Sequence, residues 1–179
     1  MSYLRFVSRV RPEVSSDCID EFWDFTDPTD ADDFTGGRWR PAAGVDGTPG
    51  TYGFVSGESG QVAGTKNVLS TRTFPVSPGA PATASFYHRL YVYPQDFADG
   101  WTCEGLLEFL DGSDNVLSFA SDSVPIGEAD NDFHEMSLGP AVAPAGSTSM
   151  RLRVVFTVGK DYSSVYVFEI DNVALSSCP

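Results

Sequence analysis

Val165-Tyr166-Val167-Phe168-Glu169-Ile170-Asp171-Asn172-Val173-Ala174-Leu175-Ser176 reads as one long strand whose phase changes in the middle. Side chains alternate between the two faces of a strand, so Tyr166, Phe168 and Ile170 belong to one buried face. Past Asp171-Asn172 the apolar positions become Val173 and Leu175, one place out of step. A β-bulge, one extra residue at Asp171-Asn172, brings both runs to the same side.

The remaining chain is built of similar material. Strand-like runs occupy 52–55, 68–74, 83–93, 103–110, 116–122, 133–138 and 150–159. Turn chemistry separates them at Pro78-Gly79, Asp111-Gly112, Pro144-Ala145-Gly146 and Gly159-Lys160-Asp161. The Asp111-Gly112 turn joins its two runs as a hairpin with a loop somewhat longer than two residues. No long segment keeps helical apolar spacing without Gly or Pro, and no internal repeat is present. Many short strands without a repeat predict an all-β, antiparallel two-sheet sandwich. Residues 1–16 differ from the rest, carrying Arg5, Arg9 and Arg11 ahead of an acidic stretch without Lys or Arg from Glu13 to Asp33. They read as an N-terminal arm or lead-in strand, and 17–179 as the domain.

Composition narrows the functional classes. The 179 residues carry a net charge of -14, which repels phosphate backbones and argues against a nucleic-acid partner. No apolar run approaches the ~20 residues of a membrane-spanning helix. The arginines near the N-terminus interrupt any secretion signal, so the expectation is synthesis in the cytoplasm without a leader. Three cysteines, Cys18, Cys103 and Cys178, cannot all pair within one chain, and without an export signal the expectation is three reduced thiols.

Alternation also identifies a candidate surface. In 83–93, Ala84, Phe86, His88, Leu90 and Val92 take the core side, leaving Tyr87, Arg89, Tyr91 and Tyr93 outward. In 150–159, Met150, Leu152, Val154, Phe156 and Val158 point in, and Arg151 and Arg153 point out. Aromatic rings can cover the apolar side of a pyranose while Arg, Glu and Tyr hydroxyls hold its polar edge. Tyr87, Arg89, Tyr91, Trp101, Arg153 and Glu169 form the candidate glycan-binding set. The same surface reads equally as one covered by another protein chain, or as a solvated face on which Arg89 and Arg153 pair with Glu169 or Glu108.

Catalytic motifs are weak. Gly57-Glu58-Ser59-Gly60 is one residue short of a nucleophile elbow. His88 falls on a core side, and Cys103, His88 and His134 lack metal-ligand spacing. The acidic run 27–33 is no EF-hand, with neither the central Gly nor the closing Glu. The chain reads as a non-enzyme.

The order of motifs resembles the carbohydrate-binding modules with the galactose-binding-like jelly-roll fold, the group that binds xylan, β-glucan and similar chains. The resemblance rests on the aromatic-Ile170-Asp171-Asn172-Val173 closing strand, the 74–89 segment with Pro78-Gly79 and a terminal Arg89, and the Asp111-Gly112 hairpin. It extends to Pro144-Ala145-Gly146 before the penultimate strand and to Asp24-Phe25 followed by Trp39. It covers about 22–176, and Thr26 departs from it where the family carries Glu. It implies a jelly roll whose first and last strands run close together, which would bring Cys18 to Cys178. It further implies one structural calcium, held by Asp171 with Asp24 or Asp27 and backbone carbonyls.

Two functions follow. The first is a virion or particle accessory protein, a phage decoration, tail or baseplate component that reaches an extracellular particle by lysis. Its arm Tyr3-Leu4-Arg5-Phe6-Val7 would dock on other particle subunits. The alternative is a module that binds polysaccharide through the Tyr/Arg face.

Overall fold

The computed structural model describes residues 18–55, 63–93, 101–126, 132–159 and 165–179. Residues 3–7 of the arm and the Gly57-Glu58-Ser59-Gly60 stretch lie outside them. Among the described residues twelve strands follow in order: β1 (Ile19–Trp23), β2 (Phe34–Thr35), β3 (Arg38–Ala43), β4 (Pro49–Val55), β5 (Lys66–Thr71), β6 (Phe74–Pro75), β7 (Pro81–Tyr93), β8 (Trp101–Leu110), β9 (Val116–Ile126), β10 (His134–Val142), β11 (Ser149–Thr157) and β12 (Val165–Ser177). The only helices among the described residues are two 3-10 turns, Pro28–Asp33 and Val45–Gly47.

The strands form two antiparallel sheets packed as a jelly-roll sandwich. Sheet A has the order β10-β7-β12-β4-β3, and sheet B the order β2-β5-β11-β8-β9. β12 is the spine of sheet A. β7 pairs along its whole length, while β4 takes Val167 to Ile170 and β1 takes Val173 to Ser177. The bulge expected in β12 is present: Asp171 pairs with Tyr87 and Ala174 with Ser85, so β12 spends one more residue than β7 there. Asn172 absorbs the extra residue at φ 46°, in the left-handed region that Asn tolerates better than most residues. Tyr166, Phe168, Ile170, Val173 and Leu175 all point inward and are fully buried.

The two inner faces meet in an aromatic core. Trp101, Phe156, Tyr166 and Phe168 pack at one end, with Trp101 5.2 Å from Phe156 and 5.0 Å from Tyr166. Trp23, Phe25, Phe34, Tyr52 and Phe74 fill the other. Trp39 donates its indole N–H to the Phe25 carbonyl at 2.8 Å, joining the two ends of the Asp24-Phe25…Trp39 motif. The alternation read for β7 and β11 holds, with Ala84, Phe86, His88, Leu90, Met150, Leu152, Val154, Phe156 and Val158 buried.

β1 and β3 escape the strand pattern of the sequence for physical reasons. Ile19-Asp20-Glu21-Phe22-Trp23 is a half-exposed strand inside an acidic run. Arg38-Trp39-Arg40-Pro41-Ala42-Ala43 carries a proline, which cannot donate to a ladder, and lies at the edge of its sheet. The expectation of three reduced thiols is also corrected. β1 lies against the end of β12, and Cys18 and Cys178 are joined as a disulfide spanning 160 residues. Cys103 remains a buried free thiol on the inner side of β8, and burial among apolar groups pushes its pKa far up, away from reactivity.

Closing so long a loop restricts the unfolded chain. Replacing Cys178 with Ser is expected to cost about 2–4 kcal/mol, a fall in melting temperature of roughly 5–15 °C by circular dichroism. Equal melting of oxidised and reduced protein would contradict the bridge.

Candidate functional site

The outer face of sheet A carries most of the residues singled out from the sequence. The register places them in rows across the strands. Tyr91 lies beside Val167, Arg89 beside Glu169, and Tyr87 beside Asp171. Gly53 of β4 lies on the other side of Glu169, with Arg38 of β3 next. A side chain on Gly53 would run into the Phe168 carbonyl and Glu169, so glycine leaves the space that Glu169 occupies.

Glu169 is the electrostatic centre of this face. It is 3% exposed, and an uncompensated carboxylate so buried would be costly. Four donor contacts offset that cost. Arg40 Nε donates to Oε1 at 2.7 Å and Thr51 Oγ1 donates to the same oxygen at 3.0 Å. Arg89 donates to Oε2 through Nε at 3.1 Å and through a terminal nitrogen at 2.6 Å. Arg89 also donates to the Ala43 carbonyl at 3.0 Å, and its guanidinium carbon lies 4.3 Å from the centre of the Phe133 ring. Arg89 and Glu169 are therefore committed to one another and roofed by Phe133 and the end of β3.

The two tyrosines flank this cluster and remain partly exposed. The Tyr87 hydroxyl donates to Glu135 at 3.3 Å, and the Glu135 and Asp46 charges, with Glu135 dominant, raise its pKa. Arg40 gives Glu169 its Nε–H and keeps its side chain partly exposed. Arg38 and Arg40 flank the inward Trp39 at alternate positions, a strand signal that Pro41 obscures in the sequence. Thr51 and Phe133 carried no such signal.

Two members of the glycan set lie elsewhere. Trp101 is fully buried in the core. It shares phase with Cys103, Leu107 and Phe109, because β8 begins two residues earlier than its sequence pattern indicates. Arg153 is on the outer face of sheet B, where it and Arg151 hold Glu108 at 2.8 and 2.7 Å. Alternation sends a side chain outward but does not say from which sheet.

The acidic residues expected to hold calcium act as local caps. Asp171 is fully buried, and its two oxygens accept the Val45 and Asn172 backbone N–H groups at 2.7 and 2.8 Å. Gly44 is required beside it, since a Cβ there would collide with the carboxylate. Burial raises the Asp171 pKa; the two N–H donors oppose this, Asp24 reinforces it and Arg89 opposes it. Asp24 accepts from the Thr26 N–H and hydroxyl, and Asp27 does the same for Thr29. Among the described residues no group of three His, Cys, Asp or Glu side chains is placed to hold a metal. Both Asp171 oxygens that the resemblance assigns to calcium are engaged by backbone N–H donors.

Comparison with known proteins bears on the fold. No protein-family model matches the sequence, and no curated protein matches it either. Solved structures do match. A xylan-binding family 22 module from Paenibacillus barcinonensis Xyn10C aligns at TM-score 0.54 and 14% identity, over 88% of this chain and 92% of that one. A mannan-recognising family 27 module aligns at TM-score 0.52 and 13% identity, over 90% of this chain and 99% of that one. The fold is that of a carbohydrate-binding-module jelly roll. At these identities the likeness concerns the fold alone. A tailspike protein of bacteriophage CBA120 aligns at TM-score 0.49 and 13% identity, a score too low to carry an argument, and this chain spans 20% of that polypeptide.

Within this carbohydrate-binding-module fold, Asp171 is a pure acceptor facing two N–H donors, and Asn would turn an amide N–H toward one of them. Asp171→Asn should cost about 1–3 kcal/mol in denaturant unfolding, whereas EDTA should leave the wild-type melting temperature unchanged. A neutral D171N variant would contradict the acceptor role, and an EDTA-induced drop would restore the calcium.

Proposed function

We propose that this chain is a non-catalytic glycan-binding domain whose ligand is a neutral polysaccharide lying along the outer face of sheet A. The observation that carries the reading is the placement of Tyr87 and Tyr91 on either side of the fixed Arg89–Glu169 pair. Partly exposed rings on a rigid sheet suit the apolar faces of sugars, and their order cost is already met by the strand. The cluster beneath acts by positioning. Arg89 and Glu169 hold the sheet face and the Ala43 carbonyl in one geometry, while Tyr87, Tyr91 and the partly exposed Arg40 supply contacts. The fold likeness to modules described as recognising xylan and mannan supports the same class of ligand. The net charge of -14 disfavours a polyanionic one.

The disulfide supports a working place outside a reducing compartment. Among the described residues no helix is long and apolar enough to cross a membrane. The reading as a virion accessory rests on the expectation of synthesis without a leader and on the arm at residues 3–7, which lies outside the described part; the fold likeness supports glycan binding instead.

Affinity electrophoresis in gels containing xylan, mannan or β-glucan tests the proposal. Tyr91→Ala should weaken the best interaction about tenfold, or ~1.4 kcal/mol, with a melting temperature close to wild type. Unchanged retention of Y91A on every retaining glycan would remove Tyr91 from the site.

A further inference from the structure

Beyond the tyrosines, the outer face of sheet A sinks into a trough. For two successive rows its side chains are small: Thr83 pairs with Ser176, and Ser85 with Ala174. Ser137 of β10 lies beyond Ser85, and Asp20 of β1 beyond Ser176. These six residues line an open depression of about 300 Å³. Phe22 stands next to Ala174 on β1, on the same face, and is 56% exposed although its neighbour Trp23 is buried. Tyr87 follows Ser85 by two residues on β7, about 7 Å along the strand, and closes the other end.

We infer that this trough is a sugar subsite, holding one or two neutral pyranose units of the chain that Tyr87 and Tyr91 contact further along β7. The inference rests on the glycan-binding reading and assigns that reading an end point. Its chemistry matches a sugar in three respects. The floor presents four hydroxyls, of Thr83, Ser85, Ser137 and Ser176, which donate and accept as sugar hydroxyls do. Thr83 and Ser176 already share a hydrogen bond at 2.8 Å, which fixes both oxygens. The flanking Phe22 and Tyr87 rings offer the apolar surface that a pyranose face requires. The volume lies at the lower end of ligand cavities, roughly 300–1,000 Å³, too small for a folded segment. Asp20 is the charged residue of the lining and carries a negative charge, so a uronate or sialylated unit would be repelled and a neutral unit accepted.

Phe22 is exposed on the outer side of β1. Its position is also informative in its context. Ala174 must stay small for the trough to exist, and Phe22 is its partner on β1 at the margin of the depression.

The test uses the full chain in affinity electrophoresis against xylan, mannan, β-glucan and, as the anionic control, polygalacturonate. Ala174→Trp fills the trough from its floor and Phe22→Ala removes its wall; both positions are at the surface. Ala174→Trp should weaken binding to the best neutral glycan by at least about tenfold and Phe22→Ala by several-fold, with wild-type protein ignoring polygalacturonate. Should A174W lose its native circular dichroism, Ser137→Tyr fills the same space from β10. If the folded trough variants bind as wild type while Y91A is impaired, the trough is not a subsite although the glycan reading survives. If wild type is retained by none of the neutral glycans, both fail. Retention on polygalacturonate equal to that on neutral chains would overturn the assignment of ligand charge.

Discussion

The extra residue that β12 accommodates at Asp171-Asn172 sets the side-chain assignment on both surfaces of sheet A. Before it, Phe168 and Ile170 enter the core while Glu169 and Asp171 face outward; after it, Val173 and Leu175 enter and Ala174 and Ser176 face outward. Because the strand period is two, a register slip of one residue would send Val173 and Leu175 outward. The trough would then be filled by branched side chains, and the core would lose two large apolar groups. The bulge is held from three directions: Asn172 takes the left-handed backbone, its N–H bonds to Asp171, and Asp171 reaches across to Val45 in the turn after β3. A core requirement and a surface feature thus share one local device.

The outer faces of the two sheets are organised by the same chemistry. Each centres on a glutamate that is 3% exposed, Glu169 on sheet A and Glu108 on sheet B, and each glutamate is held by two arginines. Four of the eleven basic residues in a chain of net charge -14 serve these two carboxylates. Such pairs add little net stability compared with apolar packing, but losing one partner leaves a buried charge exposed to the full desolvation cost. Their effect is to order an open sheet face without covering it. On sheet A that leaves two tyrosines and a hydroxyl-lined trough presented from a rigid base.

Much of this was legible in the sequence, because strand alternation is a strong signal where one face is buried. The phases of β7, β11 and β12 and the bulge follow from it, whereas which glutamate each arginine holds does not. What alternation cannot convey is which sheet a strand joins, so Arg153 reads as a companion of Arg89 when the two lie on opposite faces of the sandwich. Trp101 illustrates a different loss: two polar or glycine-flanked residues at a strand start hide a core position that shares phase with Cys103. Arg40 was obscured by Pro41, and Phe22 by the acids around it. The nearness of Cys18 to Cys178 came from the family resemblance, because β1, which follows Cys18, is too short and too charged to be read. The trough was invisible for a further reason, since a depression is defined by small residues brought together from β1, β7, β10 and β12.

A two-dimensional NMR titration of the isotopically labelled chain with soluble xylan, mannan and β-glucan oligosaccharides reads out whether the outer face of sheet A holds a neutral polysaccharide. Saturable shift changes confined to backbone amides of β7, β12 and β1 are expected from at least one of them. Shift changes centred on sheet B, or none with any oligosaccharide, would contradict binding on that face.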